Sequence, residues 1–140
     1  DADENILRFE DALLAGATDL PLDTLDDAVH TRGGVVIAAH IDRPINSLFS
    51  QLGVWPDHVA LDACDLSRRA ATAAWRPRVP RHVPLLRSSD AHFLADIGAQ
   101  RTQLLLAEPS FDELCLALRG VDGRRVVLPE ELPPHKEDAA

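Results

Sequence analysis

Short apolar runs and segments of helical period take turns along this chain, and that alternation limits the possible fold more than any other feature. Val35-Val36-Ile37-Ala38-Ala39 is apolar throughout, rich in β-branched residues and preceded by Gly33-Gly34, so it predicts a buried strand that stops at His40. Ahead of it, Leu22, Leu25 and Val29 recur at helical spacing behind Pro21, which suits a first helical turn. After it, Pro44 predicts the opening of a second helix, with Ile45, Leu48, Phe49 and Leu52 on one face and Gly53 as its stop. Val59–Ala63 predicts a second strand, Arg69–Trp75 a short helix, Pro84-Leu85-Leu86 a third strand and Thr102–Leu106 a fourth. Ser110 and Glu113 have capping-box spacing ahead of Phe111, Leu114, Cys115 and Leu118, and Gly120 ends that helix. Asp122-Gly123 then turns the chain into a last strand, Arg125–Leu128. Strands that are apolar on both faces and alternate with helices imply a mostly parallel sheet, an α/β fold.

The 140 residues fit one domain. An acidic incoming segment (residues 1–20) precedes the patterned unit (21–128), and the tail from 129 to 140 is expected to be disordered. No apolar run approaches the length of about 18 residues that a membrane span needs, so no membrane partner is expected. No basic stretch leads into an apolar one, so no secretory signal is read. Cys64 and Cys115 stand alone without metal-type or redox-type spacing; two isolated buried thiols point to a reducing cytoplasm. A net charge of −9 argues against a generic nucleic-acid coat. Met is absent even at position 1, which leaves two readings: a removed start, or a piece of a longer protein.

In parallel α/β folds the chemistry gathers where strands end. His40 closes the first strand, and Asp90-Ala91-His92 lies just past the third. Along an extended segment alternate side chains share a side, so Asp90 and His92 face one way together, and an oxygen with an imidazole nitrogen suits Zn, Mn or Fe. The plainer alternative makes Asp90 a helix cap with His92 in the first turn. His40 is equally readable as a hydrogen-bonded structural residue. Arg43 suits bidentate contact with a phosphate, or else an ion pair with Asp42. Arg68, Arg69, Arg76, Arg78, Arg81 and Arg87 crowd the middle of the chain. With only Trp75 among them they form a solvated, salt-bridged face, or alternatively a phosphate- or nucleic-acid-binding patch. There is no P-loop, GxGxxG or GxSxG.

Residues 33–44, Gly-Gly-Val-Val-Ile-Ala-Ala-His-Ile-Asp-Arg-Pro, resemble the third motif of the PHP (polymerase and histidinol phosphatase) family of metal-dependent phosphoesterases. Ser88-Ser89-Asp90-Ala91-His92 resembles the fourth. The similarity spans roughly residues 5–128. It implies the C-terminal part of a distorted (β/α)7 barrel, a site for up to three divalent ions (Zn, Mn or Fe), and hydrolysis of phosphate esters. It also implies metal-ligand roles for His40, Asp90 and His92 and a substrate-phosphate contact for Arg43. The substrate would be a phosphorylated small molecule, a nucleotide or a nucleic-acid end. The family's first motif, H-x-H, and the ligands of its second are absent from these residues. Alone, the chain is therefore expected to bind metal weakly and to be inactive, with the N-terminal PHP half as its partner.

Two rivals stand beside this reading: a non-catalytic binding or assembly module, and an Arg-mediated phosphate- or nucleic-acid-binding piece. A partial barrel would expose strand edges, so a homo-oligomer is a further expectation.

Overall fold

Helix α1 (Leu22–His30) forms where the apolar spacing predicts it. The Pro21 carbonyl accepts the first bond from Leu25 N–H, Asp23 lies in the first turn and His30 in the last, each with the sign that the helix dipole favours. The structure, a computed structural model, describes residues 16–128 without a break, with residue 3, residues 5–9 and residue 11 beside them; the expected disordered tail at 129–140 lies outside the described residues. After α1 come β1 (Ile37–Ala38), α2 (Leu48–Leu52), β2 (Ala63–Leu66), α3 (Thr72–Trp75) with a 3-10 turn at Arg76–Arg78, and β3 (Leu85–Arg87). A second 3-10 turn (Leu94–Asp96) leads to β4 (Gln103–Leu105), α4 (Phe111–Arg119) and β5 (Arg125–Val127).

The chain is α/β, with β1, β2 and β3 side by side in one parallel sheet. Ile37 pairs with Ala63, Ala38 with Cys64, Cys64 with Leu85 and Asp65 with Leu86. Because side chains alternate along a strand, this register puts Ala38, Cys64, Leu66 and Leu85 on one face and Ile37, Asp65 and Leu86 on the other. The first face carries the core. Cys64, Leu66 and Leu85 pack with Ile41, Val59, Leu61, Val79, Val83 and Leu128, and Ile41, Cys64 and Leu66 are wholly buried. The second face is partly covered by Leu104 of β4 and by Leu114 and Leu118 of α4, which leave a cleft between them.

Four local readings are corrected. β4 and β5 form a separate antiparallel pair instead of continuing the parallel sheet, with Leu104 opposite Val126. Pro44 does not open a helix: Asn46 has φ 54°, and α2 starts after Ser47, which forms a reciprocal capping box with Ser50. The second strand runs Ala63–Leu66 instead of Val59–Ala63. Val59 and Leu61 are buried as predicted, but in a loop tied to its neighbours through carboxylates: its Ala60 N–H donates to Asp26 of α1, and its Asp62 side chain accepts from Val36 N–H ahead of β1. At α4, the Ser110 hydroxyl accepts from Glu113 N–H as expected, yet the Glu113 carboxylate turns to Ala107 N–H and to Arg124 instead of back to the cap.

The arginine cluster is also corrected, since two of its six members, Arg76 and Arg87, are turned into the protein, and exposed Arg78 stacks on aromatic rings. Arg87, 8% exposed, donates to the carbonyls of Ser67 and Ala70 and to the Thr72 hydroxyl. Arg76 donates to the carbonyls of Val79, Pro80 and Val83. The Arg78 guanidinium sits 4.6 Å from the Phe49 ring centre and 4.7 Å from that of Trp75, joining α2 to α3. Arg68, Arg69 and Arg81 remain exposed. Cys64 and Cys115 are free thiols, buried and half-buried respectively. Among the described residues, no helix is long and apolar enough to cross a membrane.

Candidate functional site

Two strand ends and one strand interior bring the polar side chains together. His40 lies two residues past the end of β1 and Asp90 three residues past the end of β3. Between those strands, β2 places Asp65 on the cleft face. His40 and Asp90 both have positive φ, 45° and 47°, a left-handed conformation that is uncommon for residues carrying a Cβ and that recurs at functional sites. The chain therefore turns sharply as it leaves each strand, and the two side chains meet across the end of β2.

The contacts form a continuous chain. His40 Nδ1 is 2.7 Å from Asp65 Oδ2, and His40 Nε2 is 3.3 Å from Asp90 Oδ1. Arg43 Nη2 donates to the other Asp90 oxygen at 2.6 Å. His92 Nε2 approaches the first Asp90 oxygen at 4.0 Å, from a side chain that is 76% exposed. Behind them the Ser88 hydroxyl donates to Asp65 Oδ1 at 3.1 Å. His40, Asp65, Ser88 and Asp90 line a cleft of about 460 Å³ whose other walls are mainly apolar, among them Ile37, Leu86, Leu104 and Leu118.

Neighbouring bonds hold the two loops. Asp42 accepts from both the backbone N–H (2.7 Å) and the hydroxyl of Ser67, and Arg43 N–H donates to the His40 carbonyl at 3.0 Å. Asp42 is thus engaged by Ser67 and does not pair with Arg43, whose carboxylate partner is Asp90, 47 residues away in sequence. On the other loop, the Ser89 hydroxyl donates to the Gln100 carbonyl and accepts from Gly98 N–H, both at 2.9 Å.

The two carboxylates differ in character. Burial pushes the Asp65 carboxyl above its ordinary range, against Ser88 and His40, which act to lower it. At Asp90 desolvation also acts upward, but His40, Arg43 and His92 outweigh it and hold the carboxyl below its ordinary range. The cleft therefore opens onto an ionised, cation-seeking oxygen, with a buried carboxylate behind.

All four sequence candidates (His40, Arg43, Asp90 and His92) stand in this one network. Asp65 is the residue that sequence reasoning missed. Ending the second strand at Ala63 left Asp65 in a loop, whereas it is the third residue of β2. The signal was there in Ala63-Cys64-Asp65-Leu66: a carboxylate inside a short apolar run, on the strand between the two that carry the candidates. His30 lies between Asp26 (3.2 Å) and Asp62 (2.8 Å) and ties α1 to the loop before β2.

Whether these residues suit a divalent ion can be judged from the donors. Two ligands of one tetrahedral ion, each about 2.0–2.1 Å from it, stand about 3.3–3.4 Å apart; His40 Nε2 and Asp90 Oδ1 have that separation. Donor types and spacing therefore fit for this pair. The number of donors falls short: among the described residues no group of three or more His, Cys, Asp or Glu is arranged to hold a metal ion.

Residues 80–120, which carry β3, Asp90, His92 and α4, match the family model described as PHP-associated. The chain is 32% identical over 121 residues to the uncharacterised protein YqxK of Bacillus subtilis (strain 168), a match that covers 79% of this chain and 30% of that protein. It thus spans less than a third of the length of this relative. No solved structure matches the chain. Together these similarities support a PHP-associated C-terminal region.

Proposed function

We propose that this chain supplies the C-terminal half of a divalent-metal site for phosphate-ester hydrolysis, with the remaining ligands contributed by the N-terminal motifs of a PHP-type domain. The observation that carries the proposal is the approach of His40 Nε2 to Asp90 Oδ1 at 3.3 Å from two strands that are not neighbours, in a segment joined to the PHP-associated match. His40, Asp90 and, after rotation of its exposed side chain, His92 are the proposed ligands. A bound divalent ion supplies a Lewis acid for a phosphoryl oxygen and a hydroxide nucleophile at neutral pH.

Each residue of the chain then has a task. Asp90 gives the site its negative charge. Arg43, paired with Asp90 here, turns its planar fork to the substrate phosphate once the ion takes the carboxylate. The apolar cleft walls accept the uncharged part of a phosphorylated small molecule, a nucleotide or a nucleic-acid end. The finer architecture belongs to the same proposal: β1, β2 and β3 are consecutive strands of a (β/α)7 barrel, and the edge of β1, where Ile37 is 39% exposed, receives a strand from the other half.

One observation favours a second reading, a non-catalytic binding module: the described residues contain no ready three-donor group. Calorimetry with Mn²⁺ and Zn²⁺, joined to phosphomonoesterase and phosphodiesterase assays with and without a PHP N-terminal segment, separates the two. Hydrolysis that requires both polypeptides and disappears in His92→Ala supports the enzyme reading. Absence of metal uptake in the reconstituted pair refutes it in favour of the binding module.

A further inference from the structure

We propose that Asp65 is the positioning residue of this site: it fixes the His40 ring so that Nδ1 carries the proton and Nε2 presents its lone pair to the cleft. The inference rests on the reading of His40 as a metal ligand and adds a residue which that reading leaves without a role.

Four observations converge on it. First, the register that pairs Ala38 with Cys64 sets Asp65 directly beside the segment entering His40, and Ile41 N–H donates to the Asp65 carbonyl at 3.0 Å. Second, His40 Nδ1 and Asp65 Oδ2 lie 2.7 Å apart, both are buried, and no hydrogen-bond partner elsewhere satisfies either, which leaves this ion-pair contact as what each of them has. Third, the opposite Asp65 oxygen is held by the hydroxyl of Ser88, the residue after β3, so the carboxylate is fixed at both ends. Fourth, His40 is kept at φ 45°, a conformation that persists only where surrounding contacts over-determine it, and Asp65 supplies two of those contacts, one through its side chain and one through its carbonyl.

The chemistry follows from the two ring nitrogens. Both ring nitrogens face a carboxylate, which can only accept, and the closer approach, 2.7 Å to Asp65 against 3.3 Å to Asp90, assigns the hydrogen of the neutral ring to Nδ1. Nε2 then keeps its lone pair on the side of Asp90 Oδ1, where a cation between the two would be bound by both. Imidazoles that bind metals commonly have such a carboxylate behind them, which orients the ring and raises its basicity.

The test uses the 140-residue chain labelled with ¹⁵N. Long-range ¹H–¹⁵N spectra at about pH 8.5, where imidazoles are neutral, report the tautomer, with the His40 signals assigned by their loss in His40→Gln. Wild type should show the Nδ1–H form. In Asp65→Asn the amide can turn its NH₂ toward Nδ1, so the ring should shift to Nε2–H, and Zn²⁺ affinity measured by calorimetry should fall by about 10–100-fold. Ser88→Ala, which loosens the carboxylate without touching the ring, should move both readouts the same way by less, and it serves if the Asn variant folds poorly. A His40 ring that is Nε2–H in wild type, or unchanged in a folded Asp65→Asn protein, overturns the proposal. A tautomer that follows Asp65 while wild type takes up no Zn²⁺ upholds the positioning role and instead overturns the reading of His40 as a ligand.

Discussion

Replacing Arg87 by Met should cost the chain about 3 kcal/mol of stability, and replacing it by Lys nearly as much. The guanidinium lies at the end of β3 and bonds outward to three acceptors: the Ser67 carbonyl and Thr72 hydroxyl, each at 2.9 Å, and the Ala70 carbonyl. It therefore ties the site-bearing strand to the loop that leaves β2 and to the start of α3. A hydrogen bond to a charged group contributes about 1.5–3 kcal/mol. Nη2 serves two of the acceptors, so the three contacts count as about two full bonds, and water entering the vacated space would resolvate part of them; the low end for two bonds, about 3 kcal/mol, is the fair expectation. Lys retains the charge but offers a point donor in place of a planar fork, and cannot span carbonyls on both sides. Urea unfolding followed by circular dichroism should show a lower midpoint at unchanged slope, and the melting temperature should drop by roughly 10 °C or more. A Lys variant within about 0.5 kcal/mol of wild type would refute the reasoning, because it would mean that charge alone is needed there. Arg87 would then return to the candidates for anion binding.

Other consequences can be checked in the same assays. The His30 imidazole is held above its ordinary range, chiefly by its hydrogen bond to Asp62, with Asp26 adding to it against burial. Its contribution should be complete below the unfolded value near 6.5 and be lost as pH rises through the folded one; relative to His30→Gln, wild type should lead by at most about 1 kcal/mol at acid pH and lose that lead on alkalinisation. Gly34→Ala places a Cβ 2.6 Å from Val29 Cγ1 and 3.2 Å from the Val29 carbonyl, so it should destabilise by about 1–3 kcal/mol in chemical unfolding. Burial pushes the Cys64 thiol up to about 12, so a thiol reagent at neutral pH should modify half-buried Cys115 in the native chain and reach Cys64 only in denaturant.

What the sequence disclosed and what it concealed follow from the range of the forces involved. Local signals placed α1, β1, β3, α4 and β5, because apolar period, glycine stops and the Ser110 cap act within a few residues. The start of α2 went astray because Ser47 and Ser50 cap each other, a stronger start than Pro44 offers. β2 went astray for a non-local reason. Val59 and Leu61 enter the core as expected, but Asp26 of α1 takes up the Ala60 N–H, and the ladder begins only at Ala63. That four-residue displacement hid Asp65. Arg43 was read as suited to a phosphate or to an ion pair with Asp42, but its partner, Asp90, depends on the packing of β1 and β3 around β2.

The placement of strain gives the same answer from another side. A left-handed backbone at a residue with a Cβ costs about 1–2 kcal/mol, and among the described residues four non-glycines adopt it: His40, Asn46, Asp90 and Asp122. Asn and Asp in turns tolerate it through their short polar side chains, which accounts for Asn46 and Asp122 without any functional argument. His also enters this region more often than most residues, and at His40 tertiary contacts accompany it. Its ring spans two carboxylates drawn from different strands, and the backbone that aims it is held by Ile41 N–H on the Asp65 carbonyl and Arg43 N–H on its own carbonyl. In that conformation both ring nitrogens meet carboxylates, and Nε2 faces the ionised oxygen of Asp90, which lines the cleft.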